Sequence, residues 1–303
     1  MTTLRLPLTP PFAAQAMLDA LRSHTVAGHE RHNARTRTHS RAVRGRGGPA
    51  VVSVTFENDP EAAHITARID ATDGRDVPEL ERCITAWLDL DAEPAAIDAV
   101  LGTDPLLAPF VSARPGLRVL GATDWFATAA QTVLGQQVSL AAASTFTSRL
   151  VAAYGEPAPD GLRCFPTPQR LAAADPDELK ATVRVTGARS RTVHALATAA
   201  ADGLDATPTA DFRTELLALP GIGPWTIDYL SLRALGDRDA YPSGDLVLRR
   251  ALGGITAGEA TTRAEAWRPW RAYAVSHLWT HAAYTPSPAS SSPAAASSSD
   301  SSA

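Results

Sequence analysis

The sequence predicts an α+β chain, with a first third that mixes strands and helices and an all-helical body after it. Two observations carry this. Residues 51–56 and 64–69 alternate apolar and polar side chains as half-buried strands do. From about residue 113 to 282, helical apolar rhythms recur between short loops with Gly or Pro, and almost no strand pattern remains.

Each element follows from local chemistry. Residues 3–6 read as a short strand, 12–22 as a helix with apolar residues on one face, and 80–88 as a second helix. Residues 123–134 and 139–153 are amphipathic helices. Thr167 can cap a helix that starts at Pro168, and Asp175, Pro176 and Glu178 form a capping box with proline at the first position. Further helices are expected over 189–201, 212–218, 225–235, 246–251 and 264–281. The domains are then 1–112, 113–282 and a Ser/Ala/Pro tail, 283–303, that cannot bury a core and is expected to be disordered.

Composition narrows the function classes. No apolar run approaches the roughly 20 residues of a membrane span, and residues 1–5 lack the basic-then-apolar layout of a signal peptide. Cys83 and Cys164 make neither a metal-ligand nor a disulfide pattern, so a reduced cytoplasm is expected. The formal net charge of −4 argues against a nonspecific DNA coat, although distribution matters more than the sum. Arg31, Arg35, Arg37, Arg41, Arg44 and Arg46 form a basic stretch, read here as solvated surface. Lys180 is the only lysine.

The most informative run is Leu219-Pro220-Gly221-Ile222-Gly223-Pro224-Trp225. Its glycines sit where two helices meet in a tight hairpin, and permit positive φ and close approach of a partner. Pro224 suits the first position of the second helix, whose exposed amides and positive dipole end suit a phosphate. About twenty residues on, Pro242-Ser243-Gly244-Asp245 sets one carboxylate at the mouth of another helix. A phosphate grip beside an isolated acid points to chemistry on a nucleic acid.

The pattern resembles the helix-hairpin-helix DNA glycosylases, and among them the 3-methyladenine DNA glycosylase II (AlkA) type. Four further segments carry the likeness, in the family's order: Ala113 to Arg118, Leu134 to Ser139, Cys164 to Pro176, and Trp267 to Arg271 with His277 to Trp279. The resemblance implies an N-terminal antiparallel sheet covered by helices, followed by an all-α helix-hairpin-helix bundle. It implies a monofunctional enzyme of base excision repair that hydrolyses the N-glycosidic bond of alkylated purines such as 3-methyladenine and 7-methylguanine. The expected partner is double-stranded DNA containing such bases, and the protein is expected to be a nucleoid-associated cytoplasmic monomer away from membranes.

Such an enzyme must take the base out of the stack into a pocket with flat walls and one charge near the sugar. Trp225 and Tyr229, four apart, share a helix face. By resemblance they and Trp279 line the base cleft, where an indole face attracts a cationic alkylated purine by roughly 0.5–2 kcal/mol. Trp267 and Trp270 read as core. Asp245 reads both as a helix N-cap and as the catalytic carboxylate that stabilises an oxocarbenium-like sugar and can orient or deprotonate water. The other nearby acids, Asp228, Asp237 and Asp239, are expected on solvated faces.

The DNA phosphate falls to the backbone amides of Gly221, Ile222, Gly223 and Thr226. Family hairpins can also hold a monovalent cation, here through the carbonyls of Leu217, Leu219 and Ile222; no other cofactor and no catalytic metal is expected. Gln137 falls where the family inserts a wedge into the gap left by the flipped base, and is a less apolar wedge than the family's bulky residue. Leu246 and Ala20 stand where the family has aromatics, which implies a roomier, less aromatic cleft.

Two alternatives compete. A bifunctional glycosylase/lyase needs a lysine just after the hairpin, where this chain has Trp225, and some carry a four-cysteine cluster that it lacks. A non-catalytic helix-hairpin-helix DNA-binding module would need neither Asp245 nor the aromatic residues.

Overall fold

The computed structural model describes residues 1–206 and 210–284, so the tail expectation lies, from residue 285 on, outside the described residues. Strands β1 (Thr2–Pro7), β2 (Glu30–Asn33), β3 (Thr38–Gly45), β4 (Gly48–Thr55) and β5 (His64–Ala71) form one antiparallel sheet of order β1-β5-β4-β3-β2. One face is covered by α1 (Ala14–Ser23) and α2 (Val77–Trp87), through Met17, Leu18, Leu21, Leu80, Ile84 and Trp87.

Two sequence expectations change here. Residues 51–56 were expected to alternate, yet Val51 and Val52 are both buried. Val52 packs on the helix side, and Val51 packs with Ala42, Leu162 and Cys164 on the other face, so this central strand is covered on both sides. The arginine-rich stretch, expected as solvated surface, is the β2–β3 hairpin, and within it Arg41 is nearly withdrawn from water beside Glu30, at 2.9 Å.

The helical part begins with α3 (Pro94–Leu101) and α4 (Ala108–Ala113), two short helices with no sequence expectation, each with proline in its first turn. Their Ile97, Leu101 and Val111 share an apolar core with the last helices of the chain rather than with the sheet. Between these parts runs the motif Ala113 to Arg118. Gly116 has φ +70°, and a Cβ there would lie 1.9 Å from the Pro11 carbonyl oxygen. Buried Arg118 donates to the carbonyls of Ala92 and Thr9. The segment thus staples the N-terminal chain to the helical part.

The body is built from α5 (Trp125–Gly135), α6 (Leu140–Tyr154), α7 (Pro168–Ala172), α8 (Pro176–Val183), α9 (Gly187–Ala201), α10 (Ala210–Leu217) and α11 (Pro224–Arg233). α5, α6, α8, α9 and α11 bury one contiguous apolar core that includes Val133, Leu150, Leu179, Val193 and Leu230. Side-chain oxygens of Asp124, Ser139, Thr167, Asp175 and Thr186 accept amide hydrogen bonds at the starts of α5 to α9, as N-caps do. Asp175 accepts from the Asp177 and Glu178 amides, so its side of the expected capping box is in place.

The chain ends with α12 (Leu246–Ala251), α13 (Ala257–Ala264), α14 (Arg271–Trp279) and a π-helical turn, Thr280–Tyr284. A single helix over 264–281 was expected. It is broken because Arg268 adopts an extended backbone, ψ 142°, before Pro269, whose ring disfavours helical geometry in the preceding residue. Trp267 is fully buried and donates its indole N–H to Asp104 at 2.8 Å, while Trp270 is half-buried against Tyr273. Among the described residues no helix is long and apolar enough to cross a membrane.

Candidate active site

A cavity of about 260 Å³ runs between the sheet side of the molecule and the helical body. Trp225, Tyr229, Asp245 and Trp279 line one part of it. Glu30, Arg41 and Trp87 line another, and His24, Gln131 and Thr132 also contribute.

The hairpin builds the first wall. Leu219 accepts the Ile222 N–H at 3.2 Å, which closes the turn between α10 and α11. Gly221 sits at φ +81°, where glycine is favoured, and a Cβ there would meet Thr192 Oγ1 at 2.4 Å. Gly223 caps α11 and Pro224 is its first residue. The Ile227 N–H donates to the Gly223 carbonyl at 3.2 Å and begins the helical ladder. The Trp225 and Thr226 amides therefore lie in the first turn, where an α-helix offers no backbone partner. Of the four residues assigned to the phosphate, Ile222 differs in that its amide is already engaged by Leu219. A carbonyl carries two lone pairs, so Leu219 still has one after that bond.

Trp225 and Tyr229 do share a face of α11: their rings lie 5.4 Å apart, and Tyr229 lies 5.8 Å from Trp279 of α14. The three rings form a continuous aromatic row. Trp225 and Tyr229 are half-buried, while Trp279 is 6% exposed.

Asp245 is the N-cap of α12, as expected, and its Oδ1 accepts the Leu248 N–H at 2.8 Å. It has two partners that sequence reasoning did not anticipate. Trp279 Nε1 donates to Oδ1 at 3.1 Å, and Trp225 Nε1 donates to Oδ2 at 3.2 Å. The carboxylate and the aromatic row are one bonded unit.

The remaining candidates lie around this unit. Gln137 is exposed at the loop between α5 and α6 and has φ +56°, uncommon for a residue with a side chain. Its neighbour Gln136, which sequence reasoning passed over, ties that loop to the hairpin: Nε2 donates to the Gly221 carbonyl at 3.0 Å. Arg189 in turn donates to the Gln136 carbonyl. The signal was the paired glutamine in Leu134 to Ser139, of which only the second was weighed. Leu246 is 53% exposed at the start of α12, and Ala20 is buried against the sheet-side core. Asp228 and Asp239 are not simply solvated: Asp228 accepts from Arg213 at 3.2 Å, and Asp239 pairs with Arg271 at 2.7 Å. Lys180 belongs to α8 and is not part of the cavity wall.

Also in the cavity wall, Glu30 and Arg41 form the ion pair noted in the β2–β3 hairpin. Burial would raise the Glu30 carboxyl, but Arg41 and then His39 outweigh it and hold it at about 2. Burial pushes the His24 imidazole, in the same wall, down to about 3, assisted by Arg233.

Comparison with known proteins identifies the family and the fold. Residues 3–124 match the family model described as the AlkA N-terminal domain. Residues 130–272 match that of the HhH-GPD superfamily base excision DNA repair proteins. A Mycobacterium tuberculosis protein named "Probable bifunctional transcriptional activator/DNA repair enzyme AlkA" is 40% identical over 290 residues, which cover 92% of this chain and 56% of that one. The chain thus spans little more than half the length of that relative. Escherichia coli DNA-3-methyladenine glycosylase 2 is 36% identical over 229 residues, covering 73% of this chain and 78% of that protein. The solved 3-methyladenine DNA glycosylase of Archaeoglobus fulgidus superposes with a TM-score of 0.77 at 18% identity, over 92% of this chain and 98% of that one. At that identity the match speaks to the fold alone.

Proposed function

The chain belongs to the AlkA family within the HhH-GPD superfamily of base excision DNA repair proteins, and from that premise we propose that it is a monofunctional DNA glycosylase releasing alkylated purines from duplex DNA. The observation that carries the reading is that Asp245 lines the same cavity as Trp225, Tyr229 and Trp279. A carboxylate beside a row of electron-rich rings suits a reaction in which a cationic base departs and the sugar becomes cationic.

In this mechanism the lesion nucleotide leaves the stack and its base enters the aromatic row. A purine alkylated at N3 or N7 carries positive charge and is favoured there by cation–π attraction. The C1′–N bond lengthens, and the bonding electrons stay with the base, which leaves neutral. Positive charge passes to C1′ and the ring oxygen, where Asp245 stabilises it. Water adds to C1′ and loses a proton, with Asp245 placed to accept it. No amine nucleophile is required, which fits Trp225 standing directly after the hairpin and Lys180 lying off the cavity wall.

The Trp225 and Thr226 amides and the Gly223 turn would grip a DNA phosphate, with the positive end of the α11 dipole behind them. The carbonyls of Leu217, Leu219 and Ile222 would hold a monovalent cation at the same turn, adding positive charge behind the phosphate. Gln137 would fill the gap in the duplex. A monomer acting on chromosomal DNA in the cytoplasm completes the proposal.

The test is release of 3-methyladenine and 7-methylguanine from methylated duplex DNA. Asp245→Asn is expected to lower the single-turnover rate by at least about a hundredfold while DNA binding persists. Undiminished release by this variant would defeat the assignment. A covalent protein–DNA adduct after borohydride would instead indicate a lyase.

A further inference from the structure

The Asp245 carboxylate accepts three hydrogen bonds, and two come from the rings assigned to the base. Oδ1 takes Leu248 N–H at 2.8 Å and Trp279 Nε1–H at 3.1 Å, and Oδ2 takes Trp225 Nε1–H at 3.2 Å. A carboxylate has about four lone-pair sites. Oδ1 is therefore filled, and Oδ2 retains one acceptor direction.

We infer that Trp225 and Trp279 are positioning residues for Asp245: their indole N–H groups clamp the carboxylate so that Oδ2 is the oxygen presented to the cationic sugar. The inference rests on the glycosylase reading and assigns the two indoles a task that stacking does not require.

Three physical effects support the clamp. The terminal torsion of Asp is broad, with no sharp staggered minimum. One bond from Leu248 to Oδ1 fixes that oxygen and leaves the carboxylate plane free to swing about it. Donors on both oxygens remove that freedom before substrate arrives, and fixed charge is what stabilises a developing cation without reorganisation. Next, Trp279 is 6% exposed, and a buried indole N–H needs an acceptor. Asp245 supplies it, so ring and carboxylate orient each other. Finally, Tyr229 lies between the two indoles, its ring 5.4 and 5.8 Å from theirs and tilted to them by 31° and 47°. The aromatic wall that receives the base and the oxygen that faces the sugar are thereby held in fixed relation, although they come from α11, α12 and α14.

The test separates orientation from stacking. Trp225→Phe and Trp279→Phe keep an aromatic face and delete the N–H. Each is assayed for binding to duplexes carrying either of two abasic-site analogues. One is a pyrrolidine, protonated where the sugar becomes cationic, and the other is a neutral tetrahydrofuran. Each Phe variant is expected to bind the neutral duplex like the parent and to lose about tenfold in affinity for the cationic one. Single-turnover base release is expected to fall by a similar factor with KM little changed. Asp245→Asn is expected to abolish the preference for the cation, and adding either Phe change to it to do nothing more.

Phe variants that keep the parent's preference for the cation would overturn the clamp and leave the glycosylase reading intact. Equal losses on both duplexes would also overturn it, since they would report a damaged cleft. If Asp245→Asn itself retains both the preference and base release, the glycosylase reading falls with it.

Discussion

Glu30 and Arg41 are direct cross-strand partners on β2 and β3, with side chains 5% and 11% exposed. Glu30 also accepts the Val26 N–H at 2.8 Å. Two opposite charges removed from water are tolerable only as a pair with their remaining hydrogen bonds made. Deleting the carboxylate charge with Glu30→Gln leaves a buried guanidinium uncompensated, and is expected to cost about 3–5 kcal/mol of stability at neutral pH, read as a lowered midpoint in urea unfolding. Because the Glu30 carboxyl is held at about 2, below its ordinary 4.5, its contribution is present above pH 4.5 and is lost as the pH falls towards 2. Sequence reasoning put Arg41 on the surface for an identifiable reason. Six arginines within sixteen residues read as a solvated run, and nothing in one sequence says which of them the pleat turns inward. Asp245 shows the converse. Its capping role was legible from the helix start alone, whereas its bonds to Trp225 and Trp279 join positions 20 and 34 residues away and exist only after folding.

Elements whose ends carry their own chemistry were the most legible. The oxygen-bearing caps Ser139, Thr167, Asp175 and Asp245 each precede a helix that the structure contains. The signature was not sufficient: α3, which has no side-chain cap bond, was missed, but so was α13, although Thr256 and Glu259 form a full capping box at its start and the helix expected over 264–281 meets it only at Ala264. The glycines of the hairpin were flagged together, yet the fold treats them differently. Gly221 combines φ +81° with a Cβ position 2.4 Å from Thr192 Oγ1, while Gly223 has φ −120° and open space around it. Gly221→Ala is expected to destabilise by about 1–3 kcal/mol through backbone strain and overlap. Gly223→Ala, which meets neither strain nor overlap but replaces the glycine N-cap of α11 by a poorer one, is expected to cost less, about 0.5–1 kcal/mol. Thermal unfolding of the two variants side by side checks this, and equal losses would contradict the distinction.

At the scale of the whole molecule, α+β architecture and the sheet-then-helices order were readable, because period and loop chemistry persist over long stretches. The cavity was not, since it is assembled from α1, β2, β3, α2, α5, α6, α11, α12 and α14 and no local pattern announces such a meeting. Burial of histidines across the molecule also sets the response to acid. Burial lowers His29 and His277 to about 4 and His24 to about 3, all from an ordinary 6.5. The unfolded chain takes up these protons below pH 6.5 and the folded chain does not, so stability present above pH 6.5 is lost as the pH falls towards 4. Each such group contributes a slope of about 1.4 kcal/mol per pH unit. His277 is fully buried, and neither ring nitrogen has a hydrogen-bond partner among the described residues. His277→Leu is expected to flatten the decline between pH 6.5 and 4 by about one such slope, measured by urea unfolding across that range.

The arginine hairpin also bears on the proposed binding of DNA. Arg41 is tied to Glu30, Arg44 to Glu156 and Arg46 to Glu79, while Arg31 and Arg37 donate to backbone carbonyls. Guanidinium groups spent on their own protein displace few of the sodium ions condensed along a nucleic acid. Affinity for undamaged duplex is therefore expected to decline gently between 50 and 200 mM NaCl, by about tenfold rather than the thousandfold or more that six to ten ionic phosphate contacts would produce.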